Sequence, residues 1–186
     1  RDGKTKVLII HGIRDHLPGY STQFVERLAK ELDLPLMSAK RKNIHLVGEN
    51  AGESSVGAAN LGLYRLMSQD KTRELLFYEL TWSPITAKQK EAIAFDNTDE
   101  YAYRRADLNN LLKKFSNETW PDSIIYIGES RNAILQSFAQ SLCWMVKSDW
   151  SNFPDDSTQA CSFQDKQLAS NLMNDSFAFI THSLGS

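Results

Sequence analysis

Cysteine is scarce in this chain: Cys143 and Cys161 are the only two. Two thiols make no disulfide framework, and each reads as a small buried apolar residue. The compartment therefore stays open. Charge of one sign is lacking as well. Lys and Arg number 21 against 23 Asp and Glu, for a net charge of -2. No basic field draws the chain to nucleic acid or anionic lipid. The densest basic run, Lys40-Arg41-Lys42, reads as a solvated loop. Long apolar runs are missing too. None approaches the ~18 residues of a membrane span, so the reading is of a soluble chain of unknown location, with secretion and a peripheral place at a membrane both open. The four histidines, His11, His16, His45 and His182, are scattered. Without HxxxH or CxxC spacing no metal site is expected, and no cofactor. Gly57 and Gly62 are not followed by Lys-Ser/Thr, which excludes a phosphate-cradling loop. There are no repeats and no low-complexity tract. The chain begins Arg1-Asp2-Gly3 without methionine, so a removed leader would leave no trace.

What is present fits one globular domain. The 186 residues are 41% hydrophobic and 24% charged, ordinary for a packed fold. Val7 to Ile10 is a wholly apolar run closed by Gly12, the pattern of a strand covered on both faces. Phe24, Val25, Leu28, Ala29 and Leu32 mark one face of a helix over 21–32, with Ser21 or Thr22 as its N-cap and Pro35 beyond its end. Ile44–Val47 reads as a short strand. Residues 48–62, rich in Gly, Ala, Ser and Asn, read as a loop. Leu75–Trp82 reads as a strand ended by Ser83-Pro84. Ile134 to Val146 carries a helical stripe, 149–159 reads as loop, 165–173 as helix, and Ser176–Ile180 as a final strand. The alternation predicts an α/β fold with a mainly parallel sheet and helices on both faces. The span 85–146 is long for one crossover. It is expected to hold a helical insertion or lid, with Phe95, Tyr101 and Tyr103 read either as its apolar inner face or as ordinary helix packing.

Two strand ends carry the chemistry. Phe177-Ala178-Phe179-Ile180 leads into Thr181-His182-Ser183-Leu184-Gly185-Ser186, a strand running into a tight turn with a serine at its apex. Lys6-Val7-Leu8-Ile9-Ile10 leads into His11-Gly12-Ile13. A serine hydroxyl needs a base to take its proton and donors to hold the oxyanion. A strand-turn-helix elbow lifts that hydroxyl above the sheet and aims the next N–H at the developing charge.

These residues resemble the α/β-hydrolase superfamily of serine esterases and lipases. Thr181-His182-Ser183-Leu184-Gly185 is similar to its Gly-x-Ser-x-Gly elbow, with Thr181 in place of the first glycine. The resemblance implies Ser183 as nucleophile and the Leu184 N–H as one oxyanion donor. His11-Gly12 resembles the family's oxyanion loop and implies the Ile13 N–H as the second. Gly12, Thr181 and Gly185 would shape the two turns. His11 would orient its loop by hydrogen bonding, and His182 would be a packed neighbour of the serine. His16, Leu17 and Trp82 are candidates for the substrate cleft, against the plainer readings of a surface loop and a core tryptophan.

In the family the acid and histidine follow the nucleophile. They are expected outside this chain, so that residues 1–186 form the amino-terminal portion of one hydrolase domain. The implied activity is cleavage of a carboxylic ester, of a lipid or other hydrophobic acyl group, through an acyl-enzyme. A catalytically inactive scaffold and an acyltransferase with the same nucleophile stand as alternatives. The implied partners are an ester substrate, the remainder of the domain in the same or a second chain and, for a secreted toxin, an inhibitor protein.

Overall fold

A computed structural model describes residues 3–12, 15–37, 40–46, 59–87, 130–163 and 167–182. Its centre is a six-stranded sheet. The strands are β1 (Thr5–Ile10), β2 (Lys42–Leu46), β3 (Asn60–Met67), β4 (Glu74–Thr81), β5 (Ser157–Gln159) and β6 (Ser176–Thr181), in the spatial order β5-β2-β3-β4-β1-β6. β1 lies between β4 and β6, parallel to both, and β5 is parallel to β2. β3 is antiparallel to β2 and β4, so it alone runs against the other five. The sheet is mixed and mostly parallel, and the class is α/β.

Among the described residues three α-helices accompany the sheet: α1 (Thr22–Glu31), α2 (Arg131–Lys147) and α3 (Gln167–Asn174), the last against α2. The period-two alternation of the strands divides the core in two. Val7, Tyr64, Leu66, Leu75 and Phe77 face Val25 and Ala29 of α1. Leu8, Ile10, Leu63, Leu76 and Tyr78 face Ala133, Ile134, Trp144 and Met145 of α2. β1 is thus buried on both faces, which is why it reads as an unbroken apolar run. Each fully buried leucine, such as Leu63 or Leu76, contributes about 2 kcal/mol by leaving water.

Several expectations need correction. β3 begins inside the span read as a loop, and β5 inside 149–159. β3 carries Asn60, Gly62 and Arg65 among its apolar residues, which breaks the strand pattern locally. β5 is only three residues long. Ser21 does occupy the N-cap position of α1, but its side chain makes no cap hydrogen bond. The basic run is not simply solvated. Lys42 Nζ donates to the carbonyls of Trp150 and Phe153, and Arg41 reaches a buried carboxylate described below. Only Lys40 is exposed, beside Asp155 and Asp156. The two cysteines are bonded to each other. Of the span 85–146, residues 88–129 lie outside the described residues, with Phe95, Tyr101 and Tyr103 among them. Residues 131–146 belong to α2, which packs on the sheet. Among the described residues no helix is long and apolar enough to cross a membrane.

A second buried charge, Lys6, ties the amino-terminal ends of the strands together. Its Nζ lies 2.8 Å from Asp175 Oδ2 and donates to the Val146 carbonyl at 3.3 Å. Asp175 also accepts the Lys4 N–H at 3.0 Å. One ammonium thereby joins β1, the end of α2 and the start of β6.

The turn between β3 and β4 supplies a pH-dependent element. Asp70 Oδ1 accepts from Ser68 Oγ at 2.5 Å, Thr72 N at 3.1 Å and Thr72 Oγ1 at 2.8 Å. The Ser68 hydroxyl first, then the Thr72 N–H and hydroxyl, hold its pKa below the ordinary 3.8, at about 2. The ionised form is favoured in the fold, so this contribution is complete above the ordinary value and lost as pH falls toward about 2. An Asp70→Ala variant is expected to show a shallower loss of stability across that acid window than the parent. Denaturant midpoints measured at each pH provide the check, and identical pH profiles would contradict the assignment.

Candidate active site

Parallel pairing brings the two chemistry-bearing strand ends together. β1 and β6 are hydrogen-bonded neighbours whose register runs from Thr5↔Ser176 to Ile10↔Thr181. They end level, on the same edge of the sheet, about 4.8 Å apart. The His182 N–H continues the ladder, donating to the Ile10 carbonyl at 3.3 Å. His11-Gly12 and His182 therefore leave the sheet side by side, although most of the chain separates them in sequence. The carboxyl ends of strands are where open α/β sheets bind ligands. Here they border a pocket of about 200 Å³ lined by Ile9, Ile10, His11, Gly12, His16, Tyr20, Ile180, Thr181 and His182.

His11 is buried, and its hydrogen bonds assign its protonation. The N–H groups of Trp82 and Ser83 point at Nε2 from 3.1 and 3.3 Å. Nε2 must present its lone pair, so the ring is neutral with hydrogen on Nδ1. That hydrogen goes to the Gly12 carbonyl, at 2.8 Å. The imidazole stacks on the Trp82 indole, with centroids 4.8 Å apart and planes 15° from parallel, and the Trp82 Nε1–H donates to the His11 carbonyl at 3.0 Å. Both ring nitrogens are engaged with main chain. His11 thus orients the loop after β1 rather than moving protons.

His16 and Tyr20 form the wall opposite. The His16 ring centroid lies 4.4 Å from that of His11 and 5.1 Å from that of Tyr20. The Ser83 hydroxyl clamps the His16 main chain twice, accepting its N–H at 3.0 Å and donating to its carbonyl at 2.9 Å. The Tyr20 hydroxyl donates to the carbonyls of Leu80 and Ile9, at 3.2 and 3.4 Å. Burial, reinforced by the nearby Glu79 charge, pushes the Tyr20 phenol well above the usual tyrosine range. It stays protonated and serves as a rigid wall.

Glu79 holds this wall in place. It is fully buried in β4, on the α1 side. Its oxygens accept the N–H of Gly19 at 2.6 Å, the N–H of Ser21 at 2.8 Å and the Ser21 hydroxyl. The carboxylate thus lies at the positive end of the α1 dipole and holds the two residues Gly19 and Ser21 that lead into the helix. Its counter-charge is Arg41, 3.6 Å away and mostly buried. Arg41 also donates to Asn43 at 2.9 Å. Gly62 is the residue directly opposite Glu79 in the ladder, and a Cβ there would collide with the Arg41 guanidinium. Gly19 has φ +98°, a left-handed conformation that suits glycine, just where the loop turns into the carboxylate.

The sequence-derived candidates divide accordingly. His11, Gly12, His16, Thr181 and His182 meet at the pocket. Trp82 is buried beneath His11, and Leu17 is exposed, so neither lines the pocket wall. Ile13, Ser183, Leu184 and Gly185 lie outside the described residues. Sequence reasoning missed Tyr20, Glu79 and Arg41. The signal for Glu79 was present: an acidic residue in the apolar run Leu75–Leu80 must be paired if that run is a buried strand. Its partners had no such signal. Among the described residues no three His, Cys, Asp or Glu side chains gather as metal ligands. No protein-family model, curated protein sequence or solved structure matches the chain.

Proposed function

We propose that this chain carries the nucleophile and oxyanion elements of a serine hydrolase of the α/β-hydrolase type, acting on carboxylic esters with a hydrophobic acyl group. The observation that supports the reading is the level, parallel pairing of β1 and β6, which brings His11-Gly12 and Thr181-His182, the described parts of the two motifs, to one pocket. The apolar part of the wall, Ile9, Ile10 and Ile180, suits an acyl chain.

In this reading the Ser183 hydroxyl attacks the ester carbonyl carbon while its proton passes to a histidine expected outside these residues. The N–H groups of Leu184 and Ile13 hold the oxyanion. The C–O bond to the alcohol breaks, and the alcohol leaves with the proton that the histidine returns. Water then hydrolyses the acyl-serine by the same route. A carboxylate, also expected outside these residues, would orient the histidine. His11 shapes the oxyanion loop through the Gly12 carbonyl and the Trp82 and Ser83 amides.

A fluorophosphonate probe applied to the complete protein tests the reading. The expected result is a stoichiometric adduct that peptide mapping assigns to Ser183. An unlabelled Ser183 in protein that retains its native circular dichroism would end the proposal and favour a scaffold with a decayed site. Transfer of the acyl group to an added alcohol in preference to water would move the assignment to an acyltransferase.

A further inference from the structure

The chain's only two cysteines are joined to each other, and their surroundings say how that bond is made. Cys143 sits in the middle of α2, and Cys161 lies in the segment between β5 and α3. Their Cα atoms are 5.9 Å apart. Both are essentially without solvent contact, at 0% and 1% exposure, within the core between α2 and the sheet. Gln140 lies one helical turn before Cys143, so the two side chains share a face of α2. The buried Gln140 amide grips the Cys161 main chain at both ends. Its Oε1 accepts the Cys161 N–H at 2.6 Å, and its Nε2 donates to the Cys161 carbonyl at 3.0 Å. Non-covalent contacts alone therefore hold Cys161 in register with Cys143.

We propose that forming the Cys143–Cys161 bond is an oxidative maturation step, completed in an oxidising compartment before the core closes. The step is a thiol–disulfide exchange with a disulfide-bearing oxidant. One cysteine thiolate attacks the oxidant disulfide to give a mixed disulfide. The second thiolate displaces the oxidant sulfur, so that the protein loses two protons and two electrons and the oxidant leaves as a dithiol. A reducing cytosol does not sustain such a bond. Exchange needs an accessible sulfur, and neither sulfur is accessible once Trp144 and Phe153 have packed into the same core. Oxidation thus precedes final packing, and the finished bond is shielded from thiols.

The bond closes a loop between positions 18 apart. Within it lie β5 and the Trp150 and Phe153 carbonyls that hold Lys42 of β2. Beyond it the chain passes directly into α3 and β6. α3 is fastened back to α2 through Asn171 Nδ2, which donates to the Val146 carbonyl at 2.9 Å. The crosslink therefore anchors the segment that leads into β6 and the pocket, whatever chemistry the pocket performs.

The test compares the full chain exported to an oxidising compartment with the same chain kept in a reducing cytosol. Each is denatured in the presence of N-ethylmaleimide and weighed intact. The exported protein is expected to take up no maleimide and to yield one peptide pair crosslinked between Cys143 and Cys161. Folded exported protein treated with dithiothreitol is expected to keep the bond until denaturant is added. Removing the bond, by reduction in denaturant or in a Cys143→Ala/Cys161→Ala variant, is expected to shift the folding equilibrium roughly two-hundredfold toward the unfolded chain. A variant too unstable to fold would agree with this. Maleimide on both cysteines of the exported protein, reduction as fast in the folded as in the unfolded state, or an unchanged folding equilibrium would each overturn the proposal.

Discussion

Ser183→Ala is expected to lower ester turnover by about four to six orders of magnitude while leaving the fold intact. The loss is large because the proposed serine supplies the bond-forming oxygen, and neither His11 nor Tyr20, the described groups at the pocket, takes its place. His11 is neutral with both ring nitrogens engaged, and the Tyr20 phenol is half-buried, protonated and bonded to main-chain carbonyls. Neither offers a substitute nucleophile. The Michaelis constant is expected to change little, since Ile9, Ile10 and Ile180 remain to hold the acyl group. Steady-state hydrolysis of a series of p-nitrophenyl esters by the complete protein measures both parameters. A turnover loss of less than about tenfold would remove Ser183 from the chemistry.

Glu79→Ala is expected to cost about 3–5 kcal/mol of stability, because it leaves a buried cation and several donors without their partner. The groups released are the Gly19 and Ser21 N–H, the Ser21 hydroxyl and the Arg41 guanidinium. All converge on the loop that carries His16 and Tyr20 to the pocket, so the damage extends to the site. Glu79→Gln keeps the volume and two acceptor lone pairs, and its loss is expected to be smaller. Urea unfolding of the three proteins gives the comparison. A loss below about 1 kcal/mol for the alanine variant would mean that water readily replaces the carboxylate. That outcome would contradict the role of Glu79 in holding the loop in place.

The elements differ in how far they can be read from local pattern, and for identifiable reasons. β1 and β4 are covered on both faces, so they appear as apolar runs. α1 and α2 bury one stripe each and show helical spacing. β3 escapes notice because Gly62 and Arg65 interrupt it, and Gly62 is there to admit the side chain of Arg41 from another strand's approach. The pocket shows the same division. His11-Gly12 and Thr181-His182 stand out as small and polar residues closing apolar strands. Glu79 stands out only as an exception, and nothing near Ser21 or Arg41 in the chain announces that they share its carboxylate.

Spacing of apolar residues was enough to decide the α/β class and the approximate positions of β1, α1, β4, α2, α3 and β6. Each of these is a property of a short stretch, since a helix or strand exposes its period within one or two turns of itself. Pairing decided the rest: that β6 lies against β1, that β3 runs backwards, that Cys143 meets Cys161, and that Glu79 holds Gly19 and Ser21 at the start of a helix that begins 57 residues earlier in number, at Thr22. Contacts of this kind join residues far apart along the chain, and their energy depends on the assembled geometry of sheet and core, which leaves no periodic trace in any single segment.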